Sequence, residues 1–286
     1  MTNKGKEKYE QIKIPAELDQ VIWSSMKRAE REKQRATARK WIAAAAAVFC
    51  LCFAGANIAP IYAYASDLPV IGTIVRVLHI GTGGARTDGA HITANKQGEI
   101  VDFRFESNTG ELDAVPVYTA IQERAPNRLV LTLHGVRTMD AAAILNSLWA
   151  TDAVQDAYLG ILGDDSAYEF VIVLNTGYNY EITEYENPSS LAVRFYPDEA
   201  DGSEQTVYYL RTAAMPYGEE LGLTAEQFYP HHATQLKTKS GEYIVVVGQY
   251  ATEDEAAAAL KTLETEVGGE TGLFIASGTA DALPEQ

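Results

Sequence analysis

The hydrophobic and polar positions of the 286-residue chain change period from one stretch to the next. Leu18, Ile22 and Met26 recur every four residues, with Val21 alongside, before the sequence turns polar and basic. That spacing predicts a helix over about 15–40 with an apolar patch on its first turns. Pro15 stands where a first helical residue often does, and Glu17 and Asp19 suit the positive end of a helix dipole. From Trp41 to Ser66 no residue is charged, and about 20 mostly apolar residues are enough to span a bilayer as a helix. Next, Val70, Ile71, Ile74, Val75 and Leu78 fit one face of a short juxtamembrane helix capped by Ser66 and Asp67, with Gly81-Thr82-Gly83-Gly84 as a linker.

Over 91–197 the period falls to two. Alternation runs over Glu99–Glu106, Val115–Ile121, Arg128–Leu133, Tyr158–Leu162, Glu169–Leu174, Tyr180–Tyr185 and Leu191–Phe195. Turn signals such as Asn108-Thr109-Gly110, Ala125-Pro126-Asn127 and Asn175-Thr176-Gly177 separate the runs, and one helix is expected from Met139 to about Trp149. Short strands in this number predict a β-sandwich-like domain. After an acidic linker at 198–204, strand and helix alternate. Strands are expected over Val207–Thr212, Ala233–Thr238, Tyr243–Gln249 and Leu273–Ala276. A helix over Gly218–Phe228 and a second one opened by a Thr252/Glu255 capping box complete a β-α-β-β-α-β order. Such an order gives a ferredoxin-like sheet with both helices on one face. The chain is thus read as α+β: a basic helix at 1–40, a transmembrane helix at 41–65, a juxtamembrane stretch at 66–90, a sandwich-like domain at 91–197 and a ferredoxin-like domain at 205–286.

Charge sharpens this division. The total is −16, but residues 1–40 hold 11 Lys and Arg against 6 Asp and Glu, while residues 64–286 hold 12 against 33. Excess Lys and Arg before the apolar run places the N-terminus in the cytoplasm and the acidic bulk outside the cell, a single-pass topology in the cell membrane. Ala63-Tyr64-Ala65 before Ser66 has the form a signal peptidase reads, but the 40 residues ahead of the run exceed an ordinary n-region. An uncleaved anchor is the expectation, with the basic stem meeting anionic lipid. An acidic exterior excludes a nucleic-acid partner, because a phosphate backbone needs a basic face. Both cysteines, Cys50 and Cys52, fall inside the span, so the exported part has no disulfides.

Candidate chemistry is sparse. His79, His91, His134, His231 and His232 lack a matched nucleophile or ligand spacing, and Gly81-Thr82-Gly83-Gly84 lacks the Lys-Ser/Thr of a phosphate loop. No catalytic residue, cofactor or metal site is expected; His231-His232 reads as surface. Tyr158, Tyr168, Tyr178, Tyr180 and Tyr185 are either ordinary strand residues or platforms for sugar rings. In the last domain alternation puts Val245 and Val247 under the helices and Ile244 and Val246 on the open sheet face. Gln235, Lys237 and Lys239, opposite to Leu236, are expected beside them, with Tyr209 and Arg211 on the adjacent strand.

Three resemblances follow from these residues. Tyr243-Ile244-Val245-Val246-Val247-Gly248-Gln249-Tyr250, with Thr252, Ala256 and Leu260, closely resembles the core motif of SPOR domains. That resemblance, over about 205–280, implies binding of denuded peptidoglycan glycan strands on the open sheet face, through Tyr209, Arg211, Gln235, Lys237, Lys239, Ile244 and Val246. The family often carries Gln where Val246 stands. Ile12-Lys13-Ile14-Pro15-Ala16-Glu17-Leu18-Asp19, the alanine-rich span, Asn57-Ile58-Ala59-Pro60 and Asp67-Leu68-Pro69-Val70-Ile71-Gly72 resemble the N-terminal module of the DUF4179 family. Its members look like transmembrane anti-sigma factors, which implies a sigma factor held by Leu18, Val21, Ile22 and Met26. Phe170–Leu174, Tyr178-Asn179-Tyr180 and Asn187-Pro188-Ser189-Ser190-Leu191 resemble the AMIN domain, a β-sandwich that targets envelope proteins to peptidoglycan. Together they imply a non-enzymatic, membrane-anchored envelope protein that binds peptidoglycan.

Overall fold

A computed structural model of the chain describes residues 73–198, 205–279 and 282–285. The expected basic helix and apolar span, and with them Leu18, Val21, Ile22 and Met26, lie outside the described residues. Among the described residues no helix is long and apolar enough to cross a membrane.

In chain order the first domain comprises β1 (Thr73–Leu78), β2 (Gly81–Gly83), β3 (Ala90–Gln97), β4 (Ile100–Ser107), β5 (Gly110–Glu111), β6 (Tyr118–Glu123), β7 (Arg128–His134), β8 (Val136–Met139), helix α1 (Ala141–Trp149), β9 (Val154–Gly160), β10 (Ala167–Leu174), β11 (Tyr178–Glu186) and β12 (Ser190–Pro197). One sheet runs β1-β11-β12-β4-β3-β8, with β5 paired to β4; the other runs β2-β6-β7-β10-β9. Alternate residues of both sheets meet in one core that includes Phe103, Phe105, Leu129, Leu131, Phe170, Ile172, Ile182 and Val193. Helix α1 contributes Ile144 and Leu148 to it, and its N-cap Asp140 accepts a hydrogen bond from the Ala143 N–H at 3.0 Å. The sandwich expected from period-two alternation is therefore present.

Its N-terminal limit is a correction. Thr73–Leu78, expected as part of a helix, is a strand antiparallel to β11, and Gly81–Gly83, expected as linker, pairs with β6. Six residues rich in Ile and Val fit both periods, and β-branched side chains favour the strand once a partner edge is available.

The last domain comprises β13 (Val207–Arg211), α2 (Glu219–Phe228), a 3-10 turn at Tyr229–His231, β14 (Ala233–Lys237), β15 (Tyr243–Tyr250), α3 (Glu253–Val267) and β16 (Phe274–Gly278). The sheet order is β14-β15-β13-β16 with every pair antiparallel, the ferredoxin-like arrangement the element order predicts. Under the helices lie Leu210, Val245, Val247, Leu221, Phe228, Ala256 and Leu263. Val267, in the last turn of α3, is exposed. Helix α3 ends at Gly268, whose φ of 81° provides the left-handed cap.

Candidate functional site

Strand register fixes which side chains share each face of the C-terminal sheet. Leu236 stands opposite Ile244, Thr234 opposite Val246, and Val246 opposite Arg211, which stands opposite Phe274. This is the face away from the helices, and it carries Tyr209, Arg211, Thr234, Leu236, Ile244 and Val246. Arg211 lies 5.1 Å from the centroid of the Phe274 ring, a cation–π contact, and burial pushes its guanidinium pKa down. At Gly248 (φ 66°) strand β15 takes on an extra residue, since Tyr208 pairs with Tyr250 while Leu210 pairs with Val247. The bulge turns Gln249 onto the same face.

Four of the residues expected here, Tyr209, Arg211, Ile244 and Val246, are thus brought together. Gln235 and Lys237 are not, and Lys239 meets Arg211 only across residues 284–285. Gln235 stands opposite Val245 and Lys237 opposite Tyr243, so both belong to the helix side, and Lys239 lies beyond the end of β14. The expectation failed because it gave the polar residues of β14 to the open face, as if that face met water. Leu236 holds that position instead, because the open face is itself an apolar interface.

Tyr209 is 2% exposed, Ile244 0%, Val246 2% and Arg211 5%. Tyr209, Ile244 and Val246 form a second small core with Ala125, Val207 and Leu236. Ala125 belongs to the turn between β6 and β7 and lies over the Tyr209 end of the face; a Cβ added to Gly278 would stand 3.1 Å from its methyl group. Gln249 clasps the neighbouring backbone: its Oε1 accepts from the Arg124 N–H at 3.0 Å, and its Nε2 donates to the Arg124 carbonyl at 2.6 Å. Glu123 accepts from Arg128 and, at 2.8 Å, from Thr234 Oγ1 on β14, with all three side chains buried.

The other side of β14 meets the sandwich as well. Tyr158, Val171 and Val173 join the core under the helices. The Tyr158 hydroxyl accepts from the Lys237 N–H at 3.0 Å and donates to the Gln235 carbonyl at 3.3 Å, closing the backbone edge that an outer strand leaves bare. Gln235 exchanges two hydrogen bonds with the backbone of Ile161, and Lys237 Nζ pairs with Asp156 at 2.9 Å. Two residues expected to touch a ligand therefore serve an interdomain contact. Beside it lies a cleft of about 360 Å3 lined by His134, Ala167, Glu169, Ala225, Glu226 and Gln235. Burial, and secondly the charge of Glu123, push the Glu169 carboxyl up to about 7.

Sequence reasoning missed Ala125, Glu123, Arg128, Thr234 and Gln249, and read Tyr158 only as a strand residue or a sugar platform. One signal was available: Val207, Leu236, Ile244 and Val246 make a sheet face too apolar to be left in water. Of the tyrosines offered as sugar platforms, Tyr158, Tyr180 and Tyr185 are buried within the protein and present no free ring face; Tyr168 and Tyr178 are half-buried. His231 is not merely surface, for its Nε2 stands 3.5 Å from Glu266 of α3. Among the described residues no group of three or more His, Cys, Asp or Glu side chains is arranged to hold a metal ion.

Residues 220–276 match the family model of the SPOR domain. The match begins inside α2 and reaches into β16, so it covers both helices and three of the four strands. No curated protein and no solved structure matches the chain.

Proposed function

We propose that the chain is a non-enzymatic, single-pass envelope protein whose SPOR domain binds the glycan strands of peptidoglycan. The observation that carries this reading is the SPOR match at 220–276 on a four-stranded ferredoxin-like sheet. Arg211 and Phe274 supply on one face of that sheet the cationic and aromatic groups that sugar hydroxyls and rings use. The resemblance to the AMIN domain, together with the two-sheet architecture of 73–198, supports reading the sandwich as a second wall-facing module. The uncharged run from Trp41 to Ser66 supports the anchor, and the basic cluster before it supports the orientation.

Sedimentation of the full chain with isolated sacculi tests the central claim. The chain pellets with amidase-treated sacculi, whose stem peptides are gone, and less with untreated ones. Its remaining in the supernatant at saturating sacculi, together with every variant that uncovers the sheet face, would sink the reading. The DUF4179 resemblance over about residues 12–80 supports a second, compatible role, in which Leu18, Val21, Ile22 and Met26 hold a sigma factor. Co-purification of the full chain with the sigma factor of its own operon, lost in Leu18→Asp/Ile22→Asp, checks it.

A further inference from the structure

The sheet face that the proposed function requires is covered by two segments of the same chain, and they hold it differently. The Ala125 turn is knit into the sandwich. It continues into Arg128, which is wholly buried and donates to Glu123 and to the Pro126 carbonyl, and Gln249 grips its backbone from below. Moving it would strand a buried charge. The second segment, residues 282–285, is a short stretch without regular structure. Leu283 packs against the face and Pro284 is buried. Three hydrogen bonds tie it down at the Arg211 end. The Lys239 N–H donates to the Pro284 carbonyl at 3.0 Å, Arg211 Nη1 to the Glu285 carbonyl at 3.3 Å, and Lys239 Nζ to Glu285 Oε1 at 2.6 Å. One of the three is an exposed ion pair, the kind that contributes little net stability.

What the segment occupies is a set of groups suited to a sugar. Arg211 gives a guanidinium N–H to a main-chain carbonyl where a hydroxyl or acetamido oxygen would serve, and Lys239 gives both its N–H and its ammonium group. Phe274, stacked under Arg211, is already 45% exposed at the rim. We infer that the chain carries its glycan site closed, with residues 282–285 as a releasable strap over the Arg211–Lys239 end and the Ala125 turn as a fixed cover over the Tyr209 end. This rests on the reading of the SPOR domain as a glycan binder and adds how that site is gated. Glycan binds at the half of the face that the strap vacates, beside Arg211 and Phe274, and the strap competes with it for the same donors.

The test compares the full chain, Leu283→Asp and a chain ending at Thr279 in sedimentation with amidase-treated sacculi. Both variants bind at least tenfold more tightly than the full chain. A peptide of residues 279–286 added in excess returns the shortened chain to the weaker binding. Hydrogen exchange on the unaltered full chain gives a readout independent of how the variants fold. When denuded glycan is bound, the Lys239 amide loses protection because the strap has lifted, while the Arg124 amide keeps it because the turn has not. Equal binding by all three proteins, or a Lys239 amide still protected in the glycan-bound chain, overturns the strap and leaves the glycan-binding reading standing. Loss of protection at Arg124 overturns the fixed cover. Sedimentation of none of the three removes the glycan-binding reading itself.

Discussion

Single side chains carry much of the interface between the sandwich and the SPOR domain. Ala125 has a φ of 69°, a region glycine enters more easily, yet its methyl joins the small core that holds Tyr209 and leaves little room beside Gly278, where an added Cβ would stand 3.1 Å away. Glu169, on the outward face of β10, is 6% exposed, and Thr132 Oγ1 is 3.4 Å from its carboxyl. Burial chiefly, with Glu123 adding, raises this carboxyl to about 7, against 4.5 for the unhindered group. Between those values the folded chain holds a proton that the unfolded chain has lost, so stability falls as pH rises from 4.5 to 7. The whole penalty, roughly 3 kcal/mol, stands above pH 7. Glu169→Gln keeps the neutral shape at every pH. It should flatten the pH dependence of the melting temperature over this window and raise that temperature at pH 8 by several degrees, with little change at pH 4. Thermal unfolding monitored by circular dichroism from pH 4 to 8 checks this; a slope equal to that of the parent chain would show that Glu169 is ionised in the fold.

At the scale of elements, sequence was informative wherever one period dominated. The strands β4, β7, β10, β11 and β12 and the helices α1, α2 and α3 stand within a few residues of where alternation and capping put them. Strands β1, β2, β3 and β8 were not legible. β1, β2 and β8 are short or edge elements whose identity comes from the partner they pair with, as β8 does by running parallel to β3, whereas β3 is an eight-residue inner strand whose polar Asn95-Lys96-Gln97 end masks its alternation. The faces of β14 were misread for a related reason. Alternation gives two sets of residues but not which set faces a partner, and the partner here is another domain. Helix α3 shows the opposite case, in which local chemistry suffices. Thr252 Oγ1 accepts from the Glu255 N–H at 3.3 Å, while Glu255 Oε2 reaches back to the Ala251 N–H at 3.1 Å, one residue ahead of the usual reciprocal bond. Thr252→Ala removes an orphan-donor partner at the helix start and should cost about 1 kcal/mol. Urea denaturation reads this as a lower midpoint at unchanged slope, and Thr252→Ser should recover most of it.

The whole molecule behaves, on these contacts, as one cooperative unit from residue 73 onward. The core under the SPOR helices borrows Tyr158, Val171 and Val173 from the sandwich, and the opposite face borrows Ala125. Each domain therefore lacks part of its own burial when separated from the other, and the two should unfold in a single transition. Arg128 is the most sensitive place to break that coupling. It is wholly buried, neutralises Glu123, donates to the Pro126 carbonyl at 3.1 Å and lies 3.4 Å from Thr234 of β14. Arg128→Met leaves Glu123 as an unpaired buried carboxylate, a loss of about 3–5 kcal/mol. The loss falls on the contact between domains more than on either core, since Leu129, Leu131 and Phe170 point the other way. Residues 205–279 should then exchange their amides before residues 73–198 do, whereas in the parent chain both sets exchange together. Glu123→Gln in the same background removes the stranded charge and should restore a large part of the lost stability. If Arg128→Met lowers protection equally in both domains, the buried pair supports the sandwich alone and the coupling must be carried by Tyr158 and the apolar contacts of β14.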